Sequence, residues 1–309
     1  MIYLPRMSRL TRREWSAIVF GGLAAAPFSR LRAAAATPDS TVAGVRLGTQ
    51  SYSFRDRTID QMILNMAVIG LTYCELWQAH VEPKNFPGAT TDAEKRQALR
   101  TWRESVPLEV FKRIKAQFDR ADIKLTAYNL SFRDDFSDLE IDRGFEMAKA
   151  LGVKVITASG NVTTAARVDP FAVKHRIPVG FHNHSDKRPN EFSGPEDFQE
   201  AMKGRSKYIA INLDIGHFVA AGHDPLAFLD AYHDYIVSLH VKDRKRGDTQ
   251  GNYPFGQGDT PIVAVLQRLR DKKWDIPVNI EYEYEGTDTV AEVERCFNYC
   301  KEALKGTSK

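Results

Sequence analysis

Residues 177–186, IPVGFHNHSD, begin as a buried strand would, with β-branched and aromatic residues, and then place His182 and His184 on either side of Asn183. Side chains two positions apart on a strand project from the same face. Both imidazoles are therefore predicted to point into one space. That space is either a polar pocket or one wall of a metal site.

Four other predicted strands end in a similar alternation of apolar and polar residues. One face of each strand carries, in turn, Glu75 and Trp77, Asn212 and Asp214, His240 and Lys242, and finally Asn279, Glu281 and Glu283. Charged groups that face the interior of a protein need partners. Imidazole nitrogens and carboxylate oxygens together suit Mn²⁺, Co²⁺, Zn²⁺ or Fe²⁺ and leave positions open for substrate oxygens. The alternation therefore indicates a pocket for one divalent metal ion.

After about residue 44, short apolar runs alternate with helical patterns, and this alternation is typical of a parallel sheet covered by helices. The eight predicted strands are VRLGTQSY, LTYCELW, KLTAYNL, VKVITAS, IPVGFHNH, YIAINLD, YIVSLHV and VNIEYEY. Eight strands close a (β/α)8 TIM barrel, whose active sites lie at the carboxyl ends of the strands. A doubly wound open sheet is disfavoured because no Gly-rich phosphate fingerprint follows the first strand. We predict a single α/β domain, a TIM barrel at residues 44–305, with helices at about residues 92–121 and 290–304.

Residues 1–36 differ from the rest of the chain. They run from basic residues through a short apolar stretch into small residues, which is the pattern of an export signal. Arg12 and Arg13, ahead of Trp15, resemble the twin-arginine signal of proteins that are exported after folding. The apolar stretch is too short for a permanent membrane anchor, which needs about 20 residues. We therefore expect a periplasmic or otherwise exported protein.

Composition excludes several classes of protein. The 309 residues carry a net charge of only +3, and part of it comes from residues 1–36, called the leader below. No electrostatic footprint for nucleic acid is therefore present. The three cysteines lack the number and spacing expected of a disulfide framework or a Cys-ligated zinc site. A homo-oligomer is compatible with the sequence.

Five motifs, GFHNHS, NLDIGH, LHVKD, PFGQGDTPI and NIEYEY, occur in this order on successive predicted strands and the loops between them. The ordered set resembles the xylose isomerase-like TIM-barrel family of sugar isomerases and epimerases, over essentially all of the chain after the leader. The resemblance implies a small-molecule carbohydrate substrate and one divalent metal. By motif, it implies the metal ligands His182, Asp214, His240 and Glu281, and it places His217 against substrate oxygens.

One departure from the family bears on mechanism, because many of its epimerases have Glu where this chain has His182. Epimerisation by two bases needs a proton acceptor on each face of the carbon, and an imidazole bound to metal cannot serve as one. Glu281 is therefore the predicted single base, removing a proton next to a carbonyl that the metal polarises. His217 and Lys242 are predicted to hold or polarise the sugar oxygens.

Further residues have predicted roles around this centre. Glu75, His80 and Lys242 are candidates for the acid that protonates the product or leaving group. His184 is predicted to orient the substrate or complete the metal shell. Trp77 and Tyr52 are predicted stacking platforms for a sugar ring.

The leading functional hypothesis is a divalent-metal-dependent sugar isomerase or epimerase. A lyase that acts by β-elimination on a 3-keto-glycoside also needs only one base and stays open. A metal-stabilised carbohydrate-binding protein without turnover is a third possibility. A phosphodiester-cleaving metalloenzyme is disfavoured, because apurinic-site endonucleases on this barrel use several metals and a basic DNA-facing surface. Export argues against a phosphorylated sugar.

Overall fold

The computed structural model of the protein describes residues 39–306, and these residues form a closed barrel of eight parallel strands. A short strand, β1 (Thr41–Val42), pairs antiparallel with the first barrel strand. The barrel strands are β2 (Val45–Gln50), β3 (Tyr73–Trp77), β4 (Lys124–Asn129), β5 (Ile156–Ala158), β6 (Val179–His182), β7 (Ile209–Asp214), β8 (Ile236–Val241) and β9 (Val278–Ile280). Strand β2 pairs with β9 and closes the sheet. The predicted TIM barrel is confirmed, and each predicted strand contains one barrel strand. The predicted export segment, residues 1–36, lies outside the described residues.

Ten α-helices occur within residues 39–306. They are α1 (Ile59–Ile69), α2 (Asp92–Ser105), α3 (Glu109–Arg120), α4 (Asp138–Leu151), α5 (Thr164–His175), α6 (Pro195–Met202), α7 (Ile215–Ala220), α8 (Pro225–Tyr232), α9 (Ile262–Lys272) and α10 (Thr289–Lys305). Capping boxes begin α1, α2 and α4, each pairing a Thr or Ser with a Gln or Glu three residues later. No helix in this part of the chain is long and apolar enough to cross a membrane.

The prediction of one long helix at residues 92–121 is wrong. The segment forms two helices, α2 and α3, and Val106 between them has an extended ψ of 131°. The cause is Pro107, because a proline ring disfavours helical backbone in the residue before it and removes an N–H donor. The predicted final helix matches α10 to within one residue at each end.

The strand register determines which side chains meet inside the barrel. His182 is paired with Asn212, Asp214 with His240, and His240 with Asn279 across neighbouring strands. Strands β6 and β9 end sooner than predicted, so His184 and Glu281 lie just beyond them. Past these strand ends, His184 N donates to Phe192 O in the loop that follows β6, and Glu281 N donates to Val241 O of β8. The polar residues therefore gather at the carboxyl end of the barrel.

Gly48 lies on β2 close to residues of both neighbouring strands, β3 and β9. A Cβ atom at this position would be 2.7 Å from the Tyr73 carbonyl oxygen and 3.0 Å from Asn279 Oδ1. We expect Gly48→Ala to lower the free energy of unfolding by about 1 to 3 kcal/mol, the usual cost of overpacking. Denaturant unfolding measures the change. Gly306→Ala is the control, since its Cβ would have no neighbour closer than 3.7 Å, and equal stability of the two variants would contradict the prediction.

Candidate metal centre and active site

Four buried side chains converge at the carboxyl end of the barrel. One nitrogen or oxygen from each lies within 4.8 Å of those of the other three, and the residues are His182, Asp214, His240 and Glu281. The first two are the last residues of β6 and β7, the third is the penultimate residue of β8, and the fourth directly follows β9. The structure thus brings together the four residues predicted to hold a metal. We call them the four-residue cluster.

Asp214 is fixed by its backbone and by one of its carboxylate oxygens. The Asn183 side chain accepts from Asp214 N at 2.9 Å and donates to Asp214 O at 3.0 Å. Asp214 is also the N-cap of α7, because its Oδ1 accepts from His217 N at 2.7 Å. The second oxygen, Oδ2, is buried without a hydrogen-bond partner. Burial raises the pKa of Asp214 to about 6, although the Lys242 ammonium opposes the shift.

His240 lies between two carboxylates. Its Nε2 is 2.8 Å from Glu75 Oε1, and its Nδ1 is 3.1 Å from Glu281 Oε2. Burial by itself would lower the pKa of His240, but Glu75 and Glu281 outweigh burial and raise the pKa well above its usual value. The imidazole is therefore held in its protonated form when no other cation is bound.

Lys242 places a buried ammonium group beside the four-residue cluster. Its Nζ lies 2.8 Å from Glu281 Oε2, 3.2 Å from Asp214 Oδ2 and 3.1 Å from Glu283 Oε2. Burial would lower the pKa of Lys242, but these three carboxylates together raise it. The same ammonium and His240 hold the pKa of Glu281 well below its usual value, against the effect of burial. Lys242 is therefore a fixed positive charge, poorly suited to donating a proton.

His217 lies between two cations. Its Nε2 is 3.0 Å from Lys242 Nζ, and its Nδ1 is 3.1 Å from Arg244 Nη1. Burial, and then the Lys242 charge, lower the pKa of His217 well below its usual value, so the ring is neutral. A neutral imidazole has one acceptor nitrogen, whereas both neighbours are obligate donors. Only one of the two neighbours can therefore donate a hydrogen bond to the ring, and Nε2 is the nitrogen on the Lys242 side.

His182 and His184 meet as predicted, with ring centroids 4.9 Å apart. Burial lowers the pKa of His182 well below its usual value and that of His184 to about 4, so both rings are neutral. His182 Nδ1 is buried without a hydrogen-bond partner. A neutral imidazole is the form that binds a metal ion.

The nitrogen and oxygen ligand atoms of the cluster fit a divalent cation. The buried His182 Nδ1 lacks a hydrogen-bond partner, which is costly, and the buried Asp214 Oδ2 has no hydrogen bond but lies 3.2 Å from the Lys242 ammonium. Two imidazoles and two carboxylates form the mixed nitrogen and oxygen set that such metals accept. The cluster could therefore bind a metal.

A second group of predicted site residues lies at the end of β3 and in the segments that follow β2 and β3. Trp77 contacts Tyr52 and His80 edge to face, at centroid distances of 4.9 and 5.7 Å. The ring nitrogens of His80 lie 3.0 Å from Ser51 Oγ and 3.3 Å from Phe54 O. Tyr52 and Trp77 are partly exposed, as a stacking surface must be, whereas both nitrogens of His80 have partners in the scaffold.

The sequence analysis placed Asn212 and Asn279 on the polar faces of their strands without giving them a role, and it missed Ser238, Arg244 and Thr157. Asn212, Ser238 and Asn279 each stand two positions before a member of the cluster, and Arg244 stands two positions after Lys242. The alternation that identified the cluster residues could have identified Ser238 and Arg244 as well. Thr157 on β5, which donates to Glu75 Oε1 at 2.7 Å, carries no such signal.

Comparison with solved structures supports the fold. A sugar phosphate isomerase/epimerase from Parabacteroides distasonis is 19% identical, with a TM-score of 0.59 over 84% of this chain and 95% of that one. The 3-keto-D-glucoside 4-epimerase of E. coli is 14% identical, with a TM-score of 0.62 over 84% and 99%. The IOLI protein, solved with a zinc atom, is 15% identical, with a TM-score of 0.59 over 84% and 96%. At these identities the likeness shows the fold alone.

Comparison with protein sequences identifies the family. No curated protein sequence matches this chain significantly. Residues 63–301, well over half of the chain, match the family described as xylose isomerase-like TIM barrel. The match includes every residue of the four-residue cluster, together with Lys242 and Glu75. The chain therefore belongs to the xylose isomerase-like TIM-barrel family.

Proposed function

We propose that the protein is a divalent-metal-dependent sugar isomerase or epimerase that removes a proton next to the carbonyl of a sugar or keto sugar. The four-residue cluster carries the proposal, because its buried nitrogen and oxygen atoms converge from the ends of four strands and His182 Nδ1 has no hydrogen-bond partner. The names of the structural relatives, which include a sugar phosphate isomerase/epimerase and a 3-keto-D-glucoside 4-epimerase, support a carbohydrate substrate.

The charge of the site supports a cation. Four carboxylates, those of Glu75, Asp214, Glu281 and Glu283, surround His240 and Lys242. Lys242 supplies one positive charge, the buried Arg244 supplies a second on the far side of His217, and His240 supplies a third only when it is protonated. Negative charge is therefore in excess in a mostly buried site, where uncompensated charge is expensive. A divalent cation bound by His182, Asp214, His240 and Glu281 would reduce this excess.

The residues of the site divide the chemistry between them. When bound, a divalent cation would polarise a substrate carbonyl and acidify the neighbouring C–H bond. Glu281 is held through Oε2 by Lys242 and His240, which leaves Oε1 to accept a proton from that carbon. The ammonium of Lys242 and the neighbouring imidazole of His217 would hold or polarise substrate oxygens. Tyr52 and Trp77 would stack against the sugar ring.

A proton-exchange assay tests the proposal. The metal-loaded protein is incubated in deuterated water with a panel of sugars and 3-keto-glycosides, and deuterium at carbon is measured by mass spectrometry. We expect incorporation that stops when a chelator removes the metal. Sugar binding without exchange would instead indicate a carbohydrate-binding protein, and release of the aglycone would indicate a lyase.

We expect metal affinity to fall steeply as the pH is lowered through about 6. Asp214, whose pKa is raised to about 6, holds a proton below that pH, and the metal must displace it. His240, whose pKa is also raised, holds a second proton that the metal must displace, so affinity falls by about tenfold per pH unit for each proton displaced and most steeply below about pH 6. Calorimetric titration with MnCl₂ between about pH 5 and 8 measures this, and an affinity independent of pH would contradict it.

A further inference from the structure

Glu75 lies beneath the four-residue cluster and is completely buried. Its Oε1 accepts hydrogen bonds from Thr157 Oγ1 at 2.7 Å and from His240 Nε2 at 2.8 Å. Its Oε2 accepts from Ser238 Oγ at 3.2 Å and from Asn279 Nδ2 at 3.1 Å. Four donors from three strands, β5, β8 and β9, thus engage both oxygens of one carboxylate.

The network around Glu75 has a consistent direction. Thr157 Oγ1 accepts from Asn129 Nδ2 at 3.1 Å, and Ser238 Oγ accepts from Asn279 Nδ2 at 2.9 Å. Each hydroxyl has a single proton, so each is free to donate that proton to Glu75. The carboxylate is therefore held as an acceptor on every contact.

The orientation of Glu75 determines which nitrogen of His240 carries a proton. A carboxylate oxygen 2.8 Å from Nε2 requires a hydrogen there, so a neutral His240 has its lone pair on Nδ1. Nδ1 is the nitrogen that faces the cluster, 3.1 Å from Glu281 Oε2. Asn212 Nδ2 also lies 3.1 Å from Nε2, and its Oδ1 has no partner. The opposite amide orientation would give the Nε2–H a second acceptor.

We infer that Glu75 is a positioning residue, which keeps the proton of His240 on Nε2 and so presents Nδ1 to the divalent cation. The inference rests on the proposed function, since it concerns how the cation is held. Metal-binding histidines commonly donate their other N–H to a carboxylate, which orients the ring and strengthens the ligand. The contacts disfavour Glu75 as the acid that protonates the product, because the carboxylate is fully buried and each oxygen already has two donors.

The wild-type protein supplies the first test. Nuclear magnetic resonance of zinc-loaded protein with nitrogen-labelled histidine identifies the zinc-bound nitrogen of His240. We expect zinc on Nδ1 and a slowly exchanging hydrogen on Nε2. Zinc on Nε2 would overturn the inference. A wild-type protein that binds no divalent cation would overturn the proposed function, and this is a different result from the failure of Glu75 to position His240.

The Glu75→Gln variant supplies the second test. It keeps the size of the side chain but weakens the acceptor for the Nε2–H of His240. We expect metal affinity to fall by about 10- to 100-fold, as it does when other residues that hydrogen-bond to a metal ligand are changed. We expect kcat at saturating metal to stay within a few-fold of wild type. Wild-type affinity with a large loss of kcat would overturn the inference and make Glu75 a proton-transfer residue.

Glu283→Gln is the matched control, because it removes a carboxylate that contacts Lys242 at 3.1 Å and is not hydrogen-bonded to His240. We expect it to lower metal affinity less than Glu75→Gln and to leave zinc on Nδ1 of His240. Equal losses of affinity in the two variants would show that Glu75 contributes only its charge, and would overturn the positioning role.

Discussion

The Glu281→Gln variant is expected to lose turnover by about a hundredfold or more, the scale of a missing general base. Glutamine keeps the size of the side chain and cannot accept a proton from carbon. Lys242 and His240 hold the pKa of Glu281 well below its usual value, so its carboxylate is a weak base. It can therefore deprotonate only a carbon acid that the site has already acidified, which couples proton removal to metal binding.

Deuterium exchange at the substrate carbon measures this loss directly, because it reports proton removal without requiring product release. Glu285→Gln is the control, since Glu285 lies four residues further along the same segment and is exposed. We expect the control to exchange at the wild-type rate. Near wild-type exchange by Glu281→Gln would show that another residue is the base. Metal content measured in parallel separates loss of the base from loss of the metal.

The Asp214→Asn variant is expected to lose metal affinity by more than about 100-fold. This exceeds the loss that follows removal of a residue that only hydrogen-bonds to a metal ligand. The change removes the charge of a buried oxygen, Oδ2, that has no hydrogen-bond partner. Asparagine can still accept from His217 N and cap α7, so the fold should be preserved. Elemental analysis and metal titration measure the loss, and turnover should fall in proportion to the metal bound.

Asp224→Asn is the matched control, because Asp224 is also an N-cap and accepts from Leu226 N and Ala227 N at the start of α8. It is exposed, so we expect full metal content. Undiminished metal binding in Asp214→Asn would remove Asp214 from the metal centre. A loss shared by both variants would instead point to destabilisation of the helices.

The strands of this protein were predictable because their signals are local. Each barrel strand is a short apolar run, and the period of two assigns every residue to one face from its neighbours alone. The same period predicted that His182 and His184 would face one space. The error at residues 92–121 was also local, since Pro107 marks the boundary between α2 and α3.

The sequence by itself determined the barrel, the end of the barrel that carries the polar residues, and the types of donor available there. Only the tertiary structure decided the partners of those donors. Glu75 and His240 are 165 residues apart and meet because the barrel closes with a particular register. The same closure places Lys242 against three carboxylates and His217 between two cations. The physical reason is that the face of a strand is set by its own backbone, whereas contacts across a barrel depend on the stagger of all its strands.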